Sequence, residues 1–171
     1  MANKAALDIR PLRETDSLED LTLLLHRAYA SLAAAGLNYT AADQGIETTR
    51  KRVANGHCFV ALDEGTVVGT ILANGQLPNH LGTFVGRPNA ASLHQFAVEP
   101  RLQGSGVGSL LLETAEEWAA QQRFAEMLLD IAEPATRLIS FYHRRGYRAI
   151  GTVQWDGKTY RSVVMAKQLR A

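Results

Sequence analysis

The sequence predicts an α/β protein in which a mixed, mainly antiparallel sheet is flanked by helices, one domain over residues 1–171. Three observations lead there. Short strand-like stretches interleave with longer helical ones in the order β-α-α-β-β-β-α-β-α-β-β. Only the central β-α-β is long enough for a parallel crossover, while the other connections suit antiparallel hairpins. The composition, 46% hydrophobic and 20% charged, is that of an ordinary globular chain, and 171 residues bury roughly 70% of the surface the unfolded chain exposes.

Residues 7–12 alternate apolar Leu7 and Ile9 with Asp8 and Arg10 and stop at Pro11, a short first strand. Thr15 or Asp16 then caps a helix whose Leu18, Leu21, Leu24, Leu25, Ala28 and Leu32 repeat at three and four, ending at Gly36. A second helix is expected over 40–54, closed by Asn55-Gly56; its basic end, Arg50-Lys51-Arg52, suits a helix C-terminus. Strands at 57–62 and 66–73 flank Asp63-Glu64-Gly65, a hairpin connection. Residues 74–91 are rich in glycine and proline and read either as a functional loop or as the extended arms of a longer hairpin. Beyond them the pattern gives a strand at 93–98, a helix at 105–123, a strand at 126–131 and a helix at 135–145. Strands at 147–155 and 162–169 close the chain around the turn Trp155-Asp156-Gly157-Lys158. In Leu93-His94-Gln95-Phe96-Ala97-Val98 the two-residue alternation slips once, which implies a bulge near His94-Gln95.

Charge narrows the function. Eighteen Lys+Arg against 17 Asp+Glu leave a net charge of +1, without the basic excess that nucleic acid or an anionic membrane would ask for. Any anion site is therefore local. Cys58 is the single cysteine, so no internal disulfide supports the fold. The start Met1-Ala2-Asn3-Lys4-Ala5-Ala6-Leu7-Asp8 has no apolar run of signal-peptide length, and no stretch is long enough to span a membrane. A soluble cytoplasmic protein is expected.

The local anion site falls in Gln103-Gly104-Ser105-Gly106-Val107-Gly108-Ser109, between a strand and a helix. The first N–H groups of a helix lack intrahelical partners, and glycines let a ligand approach the backbone closely. The alternative is that the glycines only let the helix pack tightly on the sheet. A nucleoside-triphosphate loop would need a lysine after the glycines, and none follows. Against a dinucleotide fold stand the distance of the glycines from the strand end, Ser109 in place of a third glycine, and too few β-α repeats. Asp130 nevertheless stands roughly where a ribose-binding acid would be expected.

Gln103-Gly104-Ser105-Gly106-Val107-Gly108, preceded by Val98-Glu99-Pro100, resembles the Gln/Arg-x-x-Gly-x-Gly/Ala signature of the GCN5-related N-acetyltransferases (GNAT). Phe141-Tyr142-His143-Arg144-Arg145-Gly146-Tyr147 is similar to that family's downstream aromatic segment. The resemblance covers nearly the whole chain and implies the GNAT-like acyl-CoA N-acyltransferase fold. It implies an enzyme that moves an acetyl group from acetyl-CoA, its co-substrate, directly to an amine of a small molecule or peptide. Cofactor-binding residues would be Phe96 and Val98 through their main chain, with Ala97 between them, then Gln103, Gly104, Ser105, Gly106, Val107, Gly108 and Ser109. Arg145 or Arg144 would reach the 3′-phosphate. A homodimer is a common assembly in such folds.

Tyr142 matches the family's general acid, and a phenol of pKa about 10 remains able to donate at pH 7. A strand N–H near Val98 would stabilise the oxyanion. The resemblance puts Ser92 where relatives often carry a glutamate base, so His94, directly or through water, is the first candidate for the base and Glu99 the second. A packed or solvated histidine is the alternative. Ala135 replaces a common asparagine. A non-catalytic acyl-CoA-binding module is the reading from another class. His57 and Cys58 point to opposite faces of a strand and cannot share a metal, so no metal is expected. The acceptor would be met by the first two helices around Tyr29, Leu37, Asn38 and Tyr39, by 74–91 and by the last hairpin, where no strong charged patch is visible.

Overall fold

The structure is a computed structural model that describes residues 7–75, 87 and 89–170. Seven strands form one sheet: β1 (Asp8–Pro11), β2 (His57–Asp63), β3 (Thr66–Asn74), β4 (Ala90–Val98), β5 (Glu126–Ala132), β6 (Arg148–Val153) and β7 (Ser162–Gln168). Their order is β1-β2-β3-β4-β5-β7-β6. All neighbours are antiparallel except β4 and β5. The helices are α1 (Leu18–Ala34), α2 (Ile46–Ala54), α3 (Val107–Gln121) and α4 (Thr136–His143). The expected mixed sheet and element order are both present. Residues 76–86 and 88, the greater part of the expected functional loop, lie outside the described residues, as does the N-terminal 1–6.

The sheet is buried on both faces. Along β2, Phe59 and Ala61 join the cluster beneath α3, while Cys58, Val60 and Leu62 pack with Leu21 of α1. Alternation along one strand thus feeds two cores. α3 turns Val107, Leu111, Leu112, Ala115 and Ala119 inward. It lies so close to β3 that a Cβ on Gly69 would stand 2.7 Å from Leu111 Cδ1.

Two helix starts differ from expectation. Ser17, not Thr15 or Asp16, caps α1, its Oγ accepting from the Asp20 N–H at 3.1 Å. Asp16 instead accepts from both Nη atoms of Arg10, at 2.7 and 2.9 Å, and from the Arg13 N–H at 2.7 Å, tying β1 to the start of α1. The expected helix over 40–54 is broken into a 3₁₀ turn, Thr40–Ala42, and α2 behind Gly45. The break coincides with the burial of Gln44, whose side chain bonds Thr49 and Gln95 instead of facing solvent. α3 begins at Val107, two residues later than expected, because Gly106 takes a left-handed conformation at its N-cap.

The decisive feature for function is in β4. Its pairing with β3 moves from Leu72↔His94 to Thr70↔Ala97, so β4 carries one extra residue there. Gln95, at φ 48°, takes up the excess. This is the bulge expected at His94-Gln95. The parallel pairing with β5 covers only Ala90, Ala91 and Ser92, opposite Glu126, Met127 and Leu128. From there the two strands part.

The Arg10 guanidinium and the Arg13 N–H hold the Asp16 carboxyl below its ordinary range, at about 2. A folded-state pKa below the unfolded value stabilises the fold above about pH 4 and is lost as pH falls through about 2. Asp16→Asn is expected to cost about 1 to 2 kcal/mol at pH 7 and to flatten the acid limb of stability. Denaturant midpoints from pH 7 to pH 2 check it; parallel curves for the two proteins would count against the pairing.

Candidate active site

The glycine turn leaves the start of α3 open. Gly104 at φ 81° and Gly106 at φ 99° take backbone conformations unfavourable for other residues. A Cβ built on either would meet nothing within 4 Å, so their requirement is conformational and the space above them is free. No side chain caps α3 and its first turn holds no acid, which leaves its first N–H donors and the positive end of the helix dipole exposed to an anion. Gly108 differs: a Cβ there would touch Phe96 Cζ at 3.4 Å and Val98 Cγ2 at 3.5 Å. The two readings of the glycines therefore divide, ligand access at 104 and 106 and helix packing at 108.

A cation stands beside this turn. Arg145, just past α4, donates through Nη2 to the Ser109 hydroxyl in the first turn of α3 and through Nη1 to the Phe141 carbonyl at 3.1 Å. Its guanidinium carbon lies 3.6 Å from the centroid of the Phe141 ring. Arg144 is exposed. Gln103 turns back, its Nε2 donating to the Val98 carbonyl at 3.2 Å, and the Ser105 hydroxyl donates to the Leu102 carbonyl at 2.5 Å.

Beyond the bulge, the Glu99 N–H donates to Val68 in β3. Alternation therefore turns the Val98 N–H and carbonyl towards the β5 side, where no strand pairs with them. The Phe96 carbonyl accepts from the Tyr29 hydroxyl at 3.1 Å. Tyr142, in α4, stands near this strand, its ring centroid 6.2 Å from Phe96, 5.1 Å from Phe141 and 5.4 Å from Tyr147. Burial raises its pKa well above the ordinary phenol value, and no group among the described residues bonds its hydroxyl. Its phenol is therefore neutral in a desolvated place.

The two candidates for the base separate. His94 lines the same cavity as Tyr142, and its Nε2 is 2.9 Å from the hydroxyl of buried Ser92. Glu99 is instead bound by Arg27, at 2.9 and 3.0 Å from Nη2 and Nε, and does not line the cavity. Ala135, at the N-cap of α4, offers no side-chain bond.

The cavity itself, about 590 Å³, opens where β4 and β5 part. One wall is a stack of tyrosines, with Tyr29 and Tyr39 ring centroids 5.4 Å apart and Tyr39 and Tyr160 5.0 Å apart. Tyr39 is pinned by the Ala132 N–H, which donates to its hydroxyl at 2.8 Å. Four charged side chains line the cavity besides His94, two cations and two acids: Arg52, Lys158, Asp130 and Asp156. Arg52 was expected to be a solvated helix end. Successive helix residues point about 100° apart, however, so three consecutive cations cannot share one face. Arg50 and Lys51 are exposed, Arg50 pairing with Glu47 at 3.3 Å, while Arg52 faces the cavity. The charges are of both signs, so the cavity carries no strongly acidic or strongly basic patch.

β4 and β5 thus part beside an uncapped helix N-terminus, with the buried Tyr142 ring near the gap. The profile of the Acetyltransferase (GNAT) family matches residues 19–147. The chain belongs to that family and is an acetyl-CoA-dependent N-acetyltransferase. It is 30% identical over 160 residues to the S-(2-succino)cysteine N-acetyltransferase of Bacillus subtilis, covering 92% of each chain. Among solved structures it is similar to the ribosomal-protein-S18-alanine N-acetyltransferase of Escherichia coli, with TM-score 0.74, 17% identity and coverage of 97% of this chain and 96% of that one. It is also similar to the PaiA N-acetyltransferase of Thermoplasma acidophilum in complex with coenzyme A, with TM-score 0.69, 20% identity and coverage of 95% and 99%.

All five tyrosines have raised pKa values, Tyr39 about 12, with burial the largest cause in each. The folded state therefore binds these protons more tightly than the unfolded chain, and stability falls as pH rises above about 10. Ultraviolet titration is expected to show no phenolate until unfolding begins. Gradual ionisation of native tyrosines near pH 10 would contradict the burial.

Proposed function

We propose that the protein transfers the acetyl group of acetyl-CoA directly to the amine of a small molecule, in the cytoplasm, with Tyr142 as general acid and His94 as base. The observation that carries this reading is the meeting, in one opening of the sheet, of the bare α3 N-terminus, the unpaired stretch of β4 and Tyr142. A cavity of about 590 Å³ is the size for a small acceptor. The relative named for S-(2-succino)cysteine supports an acceptor of amino-acid kind. Cys58, buried with its thiol pushed up to about 11, is an unreactive thiol that suits a reducing compartment.

The residues present fit the cofactor. Uncapped N–H groups in the first turn of α3 are the donors a pyrophosphate asks for, and the Arg145 guanidinium on Ser109 adds the charge. When bound, acetyl-CoA supplies the thioester carbonyl that the amine attacks. The Val98 N–H, on the side of β4 that no strand pairs, would be the donor for charge developing on that carbonyl oxygen. The Tyr142 hydroxyl gives its proton to the departing thiolate, and burial, by keeping the phenol neutral, ensures that the proton is there to give. His94, held through Nε2 by Ser92, takes the proton the amine loses, directly or through water. The bond to Ser92 fixes the ring and puts a hydroxyl where relatives often carry a carboxylate.

Gly106→Ala forces a Cβ into a left-handed backbone and Arg145→Gln removes the cation. Each is expected to raise the coenzyme A dissociation constant about tenfold by calorimetry. Unchanged affinity in both would remove the anion site from the turn. Tyr142→Phe is expected to lower kcat by roughly 10² to 10⁴ in a thiol-release assay with mixed amines, coenzyme A binding being retained. Wild-type kcat should show no alkaline fall below about pH 10. A Phe variant as fast as wild type would sink the assignment of the acid.

A further inference from the structure

The acceptor side of the cavity holds two cations that make no ion pair among the described residues, Asp130 acting on both and Asp43 on Lys158 from a longer distance. Arg52 donates through Nη1 to the side-chain oxygen of Gln44 at 2.9 Å, and among the described residues no acid is within ion-pair distance of it. Gln44 is fixed in turn, its Nε2 donating to Thr49 Oγ1 at 2.8 Å and to Gln95 Oε1 at 2.6 Å. Lys158 donates to the Asn38 carbonyl at 2.7 Å and to Thr40 Oγ1 at 3.1 Å, both neutral. Partial burial of a cation is costly where only neutral oxygens compensate it. Two such cations on one cavity are a site for an anion. Burial lowers the pKa of both, and for Lys158 the Arg52 charge is the next cause, so the two are close enough to repel.

Two acids line the same cavity, Asp130 and the exposed Asp156. Asp130 accepts from Trp155 Nε1 at 2.8 Å through Oδ2, and Oδ1 has no hydrogen-bond partner among the described residues. Ser92 and Leu128 are paired across β4 and β5. His94 and Asp130 each lie two residues further on, ahead of the bulge, and so share one sheet face. The carboxylate therefore stands at the level of the proposed base, where an ammonium would be drawn, while the cations come from α2 and the β6–β7 connection.

We propose that the acceptor is a carboxylate-bearing amine, an amino acid or amino-acid derivative, whose carboxylate is bound by Arg52 and Lys158 and whose amino group is drawn towards Asp130 beside His94 and Tyr142. The inference rests on the acetyl-transfer reading and adds the acceptor's chemical class and the residues that select it. A guanidinium takes a carboxylate through two parallel N–H bonds, and Lys158 adds a point charge. Converting the carboxylate to an amide removes the charge and leaves the rest of the acceptor in place.

The test uses free amino acids, including S-carboxymethylcysteine, glutamate and methionine, each beside its α-carboxamide, with tyramine and spermidine as amines without a carboxylate. Thiol release gives kcat/KM, and calorimetry in the presence of coenzyme A gives acceptor affinity. The full-length protein is expected to prefer at least one acid over its amide by roughly 30-fold or more. Arg52→Gln and Lys158→Met should each reduce that acid-over-amide ratio about tenfold, through KM, while Arg52→Lys restores part of it. Coenzyme A affinity checks that each variant is folded. Equal use of acids and amides, a preference for spermidine or tyramine, or a ratio unmoved in both variants overturns the inference and leaves acetyl transfer standing. Acid-selective binding without turnover of any amine supports the subsite and overturns the transfer reading instead.

Discussion

The bulge at Gln95 is the constraint on which the rest of the site depends. A regular β4 would go on pairing with β5 past Ser92, and no gap would exist for a thioester or for an amine. One extra residue turns the strand, and the sheet opens after three parallel pairs. Gln95 pays for this with φ 48°, a left-handed conformation that non-glycine residues rarely adopt. Its side chain is buried and bonded to Gln44, which also bonds Thr49; the Thr49 and Thr22 hydroxyls are 2.8 Å apart. The strained residue is thus anchored by a polar chain running through α2 to α1. Gln44 then uses its side-chain oxygen for Arg52. The group that stabilises the opening also sets the cation that faces it.

The second determinant is aromatic. Tyr29, Tyr39, Tyr142 and Tyr160 bring large rigid surfaces to the cavity with few rotatable bonds. Tyr29 bonds the Phe96 carbonyl and Tyr39 the Ala132 N–H, fixing β4 and the end of β5 on either side of the opening. The Tyr142 hydroxyl, by contrast, makes no scaffold bond to the described residues. The same desolvation that makes the wall stable makes that phenol a poor acid in the equilibrium sense and a dependable donor in the kinetic one: it holds its proton until a strong base, the departing thiolate, is formed beside it.

Local signals explain what was legible in the sequence. The mixed sheet, the hairpins, the glycine turn and the Gln95 bulge all follow from periodicity and turn chemistry within ten residues or so. The N-cap of α1 and the break before α2 were misread because neighbours distant in sequence decided them. Asp16 is taken by Arg10 across the β1–α1 connection, and Gln44 is drawn inward by Thr49 and Gln95, the latter 51 residues away. The acceptor cations were missed for the same reason. Arg52 and Lys158 belong to different hairpins and helices, and nothing in their spacing says that they meet across one cavity. Ser92, by contrast, was noticed as a departure, and its bond to His94 gives that departure a structural meaning.

Near-neutral net charge and two anion-facing sites are compatible because each site draws on different physics. At α3 the positive potential comes from main-chain N–H groups and the helix dipole, with Arg145 bonded to Ser109 beside them, so phosphate binding there needs little net charge. At the acceptor end the potential comes from two side chains, and their mutual repulsion makes the empty cavity less favourable than the filled one. Asp130 and Asp156 line the same cavity as the cations and supply the opposite sign. A molecule with charge of one sign can satisfy one pole and is repelled by the other. A zwitterion satisfies both, and satisfies them in a single orientation, with its amine towards the thioester. The charge pattern therefore selects and aligns in the same act, which is how a half-open cleft with few direct polar contacts to spare can place an amine for attack.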